Sequence, residues 1–242
     1  MADRSSLPVV LVSGWGMPVT LLDGVIGAGA EVHPLVPGEP ALSPEEQPGD
    51  WLARVLPALP EPALWVGWSL GGQLAMEVAR HWPQRVAAVV TIASTPCFVA
   101  APDWPVGMPE ARFGAFRDQL CSSASATVAH FQKLMVQGDE RLREVRRALR
   151  AHPAGSGLDG STLATTLQWL GELDQRRLWR ESPVPAWHLY GGRDPLVSAQ
   201  TPWSLGLDRQ RWQMIEGMAH WPAGPRADEI RLLIDEFRKQ LT

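Results

Sequence analysis

Short, unbroken apolar runs alternate with stretches of helical period along the first hundred residues, as expected of buried parallel strands joined by crossover helices. Residues 7–12 read as a strand that ends in the loop Ser13-Gly14-Trp15-Gly16. Residues 31–36 read as a weaker strand, with Pro34 marking a sheet edge or a strand end. A Pro-rich, acidic loop over 37–49 and a short helix over 51–56 follow. The run Ala63-Leu64-Trp65-Val66 is a further buried strand. A helix rich in Ala, Leu and Met follows from 70 and stops near Pro83, and 85–92 is a strand again. Between about 113 and 179 the strand signal vanishes. Helices are predicted there over 111–120, 126–136, 140–150 and 161–173, with breaks at Gly138 and at 152–157. Strands return over 184–190 and 211–215. A last helix sets Ile230, Leu233, Ile234, Phe237 and Leu241 at helical spacing, an apolar stripe for one face of a sheet. The organisation implied is an α/β core built from residues 1–110 and 181–242, with 111–180 inserted as a helical cap.

Composition narrows the class. Hydrophobic residues make up 45% and charged residues 20% of the 242, a globular balance, and no run approaches the ~20 apolar residues of a membrane span. A net charge of −4 argues against a broad nucleic-acid surface. Residues 1–6 carry no basic segment leading into an apolar one, so a cytoplasmic protein is expected. Cys97 and Cys121 are too few for a disulfide framework or a metal site and read as ordinary thiols. No metal or organic cofactor is implied. Twelve Trp against one Tyr is unusual, and nothing in the sequence accounts for it.

The chemistry centres on Gly67-Trp68-Ser69-Leu70-Gly71, a Gly-x-Ser-x-Gly pattern between a strand and a helix. A serine hydroxyl is a poor nucleophile until it is held clear of the chain beside a base, and a sharp strand-to-helix turn does that. Small residues on either side admit the strained turn. Ser69 is therefore the candidate nucleophile. Of six histidines, His220 lies in a Gly-containing loop after a short C-terminal strand, where the chain order Ser, acid, His places the base. His188 sits inside an apolar strand and is expected as a packed imidazole. His33 and His81 stand at element ends, where surface or capping roles suffice. Asp194, in the turn Gly191-Gly192-Arg193-Asp194-Pro195 after a strand, is the candidate acid, although Asp-Pro also favours a simple turn cap. Asp159 and Asp174, both in the insert, are weaker candidates. The oxyanion requires two backbone donors, the N–H of Leu70 and one from the first glycine loop at Trp15. Trp15 serves equally as a core residue.

Ser13-Gly14-Trp15-Gly16, the Trp68 elbow, Cys97-Phe98 with Trp104-Pro105, Tyr190-Gly191-Gly192-Arg193-Asp194 and Ala219-His220 together resemble the pimeloyl-[acyl-carrier protein] methyl ester esterases of biotin synthesis. The resemblance spans most of the chain. It implies an α/β-hydrolase fold, a mostly parallel central sheet flanked by helices with an inserted helical cap, and hydrolysis of a methyl ester on a carrier-bound acyl chain. It also implies a substrate pocket formed by Trp15, Ser69, Leu70, His220 and the segment Phe131, Gln132, Lys133, Leu134 and Met135. The elbow and triad are common to many hydrolases, whereas the Trp15 loop and the 97–105 segment are more particular.

The predicted helix over 140–150 adds a clue of its own. Leu142, Val145 and Leu149 form one stripe and Arg143, Arg147 and Arg150 another. An arginine face near a pocket suits an acidic acyl-carrier protein and its phosphate, and equally describes a solvated helix face. The resulting expectation is a monomeric serine carboxylesterase acting on a carrier-borne methyl ester. Its rivals are a broad esterase or thioesterase without carrier preference and a hydrolase-fold binding module without catalysis.

Overall fold

Every apolar run predicted as a strand joins one sheet in the computed structural model, which describes residues 7–43, 45–153 and 155–241. Residues 1–6, which carry the expectation of no leader, lie outside them. The strands are β1 (Val9–Val12), β2 (Val32–Leu35), β3 (Ala63–Trp68), β4 (Val86–Ile92), β5 (Ala186–Gly191) and β6 (Trp212–Ile215), in the order β2-β1-β3-β4-β5-β6. All their pairings are parallel. All six β3 positions are buried, because a parallel strand in mid-sheet is covered on both faces. The chain runs outward from β1 to β2 and then crosses back to β3. The carboxyl ends of β1 and β3 thus flank the point where ligands collect in open α/β sheets.

Helices α1 (Pro48–Val55) and α2 (Leu70–His81) precede and follow β3, and α2 packs on β1, β3 and β4. Between β4 and β5 come α3 (Glu110–Ser122), α4 (Ala124–Met135), α5 (Leu142–Leu149), α6 (Gly160–Glu172) and α7 (Arg176–Arg180); α8 (Thr201–Leu205) and α9 (Ala227–Gln240) complete the chain. Ser123 caps α4 by accepting from the N–H of Ala126, and Asp159 caps α6 by accepting from the N–H of Thr162 at 2.9 Å. Alternation along β5 sends neighbouring residues to opposite faces. His188 stacks on Trp179 of α7 at 4.3 Å, and Trp187 stacks on Phe237 of α9 at 5.4 Å. In α9, Ile230, Ile234 and Phe237 are buried, while Leu233 and Leu241 are partly so and Leu241 follows the last helical residue.

The five-residue helices α7 and α8 carry too little period to be foreseen. A buried polar cluster holds α7 in place. Gln175 Nε2 donates to the Gln73 carbonyl and to Glu77 Oε1, and the Trp179 indole donates to Gln175 Oε1. Four of the tryptophans also acquire a structural account. Indole N–H groups tie distant segments together: Trp15 to the Leu163 carbonyl, Trp68 to His220, Trp169 to Glu46 and Trp221 to Leu21, each at 2.7–2.9 Å. A buried Trp combines a large apolar surface with one donor and can close a long loop by both means. Both cysteines are free thiols, Cys97 buried and Cys121 exposed.

Candidate active site

Trp15, Ser69, Asp194 and His220 all follow strands, after β1, β3, β5 and β6, so parallel pairing brings their loops to one edge of the sheet. Ser69 adopts φ 55° and ψ −122° between β3 and α2, a conformation that costs a non-glycine residue on the order of 1–3 kcal/mol. The turn is held from three directions. The Ser69 N–H donates to the Ile92 carbonyl at 2.9 Å, the Ser69 carbonyl accepts from Ser94 Oγ at 2.6 Å, and the Gly72 N–H closes the first helical turn on that same carbonyl. Bare backbone is required at two flanking positions. A Cβ on Gly67 would stand 2.2 Å from the Gly71 carbonyl oxygen, and one on Gly71 would stand 2.4 Å from the Val12 carbonyl oxygen.

Leu70 is the first residue of α2, and first-turn amides have no intrahelical acceptor. Among the described residues the N–H of Trp15 donates to no protein acceptor either. Two backbone donors in the loops after β1 and β3 are thus left without a protein acceptor among the described residues, one of them at the positive end of a twelve-residue helix.

The His220 ring is completely buried, and its Nδ1 lies 2.8 Å from Asp194 Oδ2. Asp194 Oδ1 accepts from the N–H groups of Leu196 and Val197 at 2.8 and 3.0 Å, so the carboxylate is oriented from both sides. Nε2 of His220 has no hydrogen-bond partner among the described residues, which leaves that nitrogen free to face a reacting group; catalytic contacts commonly tighten only around substrate. The weaker candidates have other partners. Asp174 is engaged by Arg176 at 2.6 Å, and Asp159 caps α6. His188 is buried, lies 2.8 Å from Thr91 Oγ1, and is pushed down to about 3 by its removal from water and by the nearby Arg211 charge. His33 pairs with Glu31 at the surface, and the exposed His81 lies 3.2 Å from the buried Glu77.

A cavity of about 240 Å³ opens among α3, α4 and α6. Its aromatic wall is continuous: Trp15 meets Phe116 and Phe131 edge-on at 5.4 and 5.3 Å, and Phe131 meets the His220 ring at 6.2 Å. Arg112, Gln119 and His130 supply its polar lining, with His130 Nδ1 3.1 Å from Gln119 Oε1. Of the expected pocket segment, Phe131 and Leu134 line the cavity, whereas Gln132, Lys133 and Met135 do not. The helical period explains the division, since residues three apart share a face. Gln132 turns to the Pro153 carbonyl, Lys133 is exposed, and Met135 is buried with its carbonyl accepting from the N–H groups of both His220 and Trp221. Ser69, Leu70 and His220 are not themselves lining residues, and His220 adjoins the cavity through its ring contact with Phe131.

Arg143, Arg147 and Arg150 are exposed as the stripe requires, but α5 packs against residues 224–226 and contributes nothing to the cavity wall. The sequence reading missed the supports of the His220 loop, namely the Trp68 indole bond, the Met135 carbonyl, and a buried Asp139–Arg226 pair whose carboxylate also accepts from the Ala219 N–H. No local pattern announces them, because each joins segments far apart in the chain.

The model of the Alpha/beta hydrolase family matches residues 9–231. Over 243 residues the chain is 31% identical to a pimeloyl-[acyl-carrier protein] methyl ester esterase of Aromatoleum aromaticum, covering 94% of this chain and 96% of that one. A protein of the same name from Klebsiella pneumoniae is 41% identical over 150 residues, a match spanning 60% of this chain and 56% of the relative's length. A bromoperoxidase from Bacillus anthracis superposes with a TM-score of 0.81 over 97% of this chain and 92% of its own, at 18% identity, a likeness of fold.

Proposed function

The chain belongs to the alpha/beta hydrolase family and, within it, to the pimeloyl-[acyl-carrier protein] methyl ester esterases, and from that membership we propose that it hydrolyses the methyl ester of a carrier-bound pimeloyl chain. Ser69 Oγ attacks the ester carbonyl while His220 Nε2 accepts its proton, and Asp194 holds the imidazole through Nδ1. The backbone N–H groups of Trp15 and Leu70 receive the oxyanion. Collapse of the tetrahedral adduct breaks the bond to the methoxy oxygen, and His220 returns the proton so that methanol departs. Water then attacks the acyl-enzyme with His220 again as base, releasing the carboxylate and restoring the serine.

The acyl chain lies in the aromatic cavity against Phe131, Leu134 and Trp15. A cavity of about 240 Å³ takes a slender chain and excludes a folded carrier, so the carrier stays outside and the ester end reaches Ser69. Arg143, Arg147 and Arg150 offer exposed positive charge to an acidic carrier surface, acting at a distance from the cavity. The enzyme works as a cytoplasmic monomer, with the residues from 111 to 180 as its cap. The observation that carries the reading is the buried Asp194–His220 pair at 2.8 Å on the same sheet edge as the strained Ser69. Fluorophosphonate labelling tests it. Wild type is expected to label stoichiometrically at Ser69, and Ser69→Ala neither labels nor hydrolyses methyl esters while unfolding as wild type does. Labelling or turnover retained in Ser69→Ala refutes the assignment.

A further inference from the structure

The loop that presents His220 is gripped by the segment that follows α4. The carbonyl of Met135, last residue of that helix, accepts from the N–H groups of His220 and Trp221 at 3.0 and 3.1 Å, and the Glu140 N–H donates to the Gly217 carbonyl at 3.0 Å. Between these bonds sits Asp139, 5% exposed. Its Oδ2 accepts from the N–H of Ala219, the residue before His220, at 3.0 Å. The same carboxylate takes Arg226 Nε and Nη2 at 3.2 Å each and the Arg141 N–H at 2.8 Å. Arg226 is itself 2% exposed, and its remaining donors reach Glu140 at 3.1 Å and Glu229 at 3.3 Å. At the neighbouring Gly138, φ +89°, the backbone passes so close that a Cβ would stand 3.2 Å from the carbonyl oxygen of Arg193, which precedes Asp194.

A buried ion pair is weak evidence for stability, since desolvating two charges offsets much of their attraction. This pair has a further partner in the Ala219 amide, which places it next to the base. We propose that Asp139, held by Arg226, is a positioning residue for His220. The carboxylate fixes the backbone from which the imidazole projects, beside the Met135 carbonyl that ties the same backbone to α4, the helix whose Phe131 and Leu134 wall the acyl cavity. The inference rests on the proposed role of His220 as base.

Three variants separate positioning from mere support of the fold. Asp139→Ala removes the Ala219 acceptor and orphans Arg226. Asp139→Asn keeps an acceptor for the amide. Asp139→Ala combined with Arg226→Met removes the acceptor without leaving a buried charge unpaired. For methyl and p-nitrophenyl esters of one acid, kcat/KM reports acylation, and only the methoxide leaving group needs a proton from His220. In Asp139→Ala, kcat/KM for the methyl ester is expected to fall roughly tenfold or more, the scale of a small misplacement of a catalytic group, and the p-nitrophenyl ester less. Asp139→Asn recovers most of the loss. The double variant regains Tm but not methyl esterase activity. Equal falls for both esters, or a double variant that regains activity together with Tm, would overturn the proposal. A His220→Ala control that keeps wild-type turnover would instead refute the role of the base.

Discussion

At Gly67 a single hydrogen decides whether the elbow forms. The Gly71 carbonyl oxygen that a Cβ would meet at 2.2 Å belongs to the backbone of α2, which cannot swing aside as a side chain can. Overpacking a rigid site typically costs 1–3 kcal/mol, and here the obstruction lies in the turn itself. Gly67→Ala is therefore expected to lose about 3 kcal/mol or more in urea denaturation. Gly114→Ala is the opposite case. It sits in α3 with nothing within 4 Å of the added methyl, so helix propensity alone operates and the variant gains up to ~1 kcal/mol. Equal stability of the two variants would contradict this account of the elbow. The candidate triad of Ser69, Asp194 and His220 was legible in the sequence because each residue follows a recognisable apolar strand, and parallel strands bring such loops together. Asp139 and Arg226 were not. Their pairing depends on how α4 ends over the last loop, and no periodicity encodes that.

Helices show the same division between local and long-range information. The period of α4 was readable in advance, yet a contiguous five-residue segment cannot face one cavity, and the structure selects Phe131 and Leu134 from it. Leu134→Ala is expected to raise KM for a long-chain acyl ester by roughly three- to tenfold, the scale of removing about 1 kcal/mol or slightly more of apolar contact, with little change for an acetate ester. Lys133→Ala, one residue away and exposed, leaves both unchanged. Parallel effects of the two substitutions on steady-state KM would mean that the cavity is not the acyl site. In α5 the amphipathic stripes were equally legible, whereas its packing partner was not. Its apolar side lies on residues 224–226, so its arginines stand apart from the cavity.

At the scale of the whole molecule, the central sheet buries an acid-sensitive group at His188. His188 stays neutral in the folded sheet to about pH 3 because it is removed from water, with the Arg211 charge adding to the effect, whereas in the unfolded chain it titrates near 6.5. Across that window the unfolded state binds more protons, so folding stability falls as pH falls, from about 6.5 down to about 3. Between pH 7.5 and 5 the loss from this one group is about 2 kcal/mol. His188→Gln removes the titration. Its urea-denaturation stability is expected to fall by that much less than wild type's over the same pH range, and an identical fall in both proteins would exclude His188 as the cause. The strand alternation that identified His188 as a packed imidazole was local. Its ring partner, Trp179, lies on a helix too short to foresee.

The proposed substrate has two ends, and either of its ester bonds is open to hydrolysis. A pimeloyl chain on its carrier offers a methyl ester at one end and a thioester at the other, and the carrier's bulk keeps the thioester outside the cavity. Intact-mass analysis of a methyl-pimeloyl carrier after incubation with the enzyme tests this directly. The account predicts a carrier lighter by one methylene, still acylated, with methanol released, and no change with Ser69→Ala. A carrier stripped to its free thiol, with the methyl ester intact on the released acid, would contradict it.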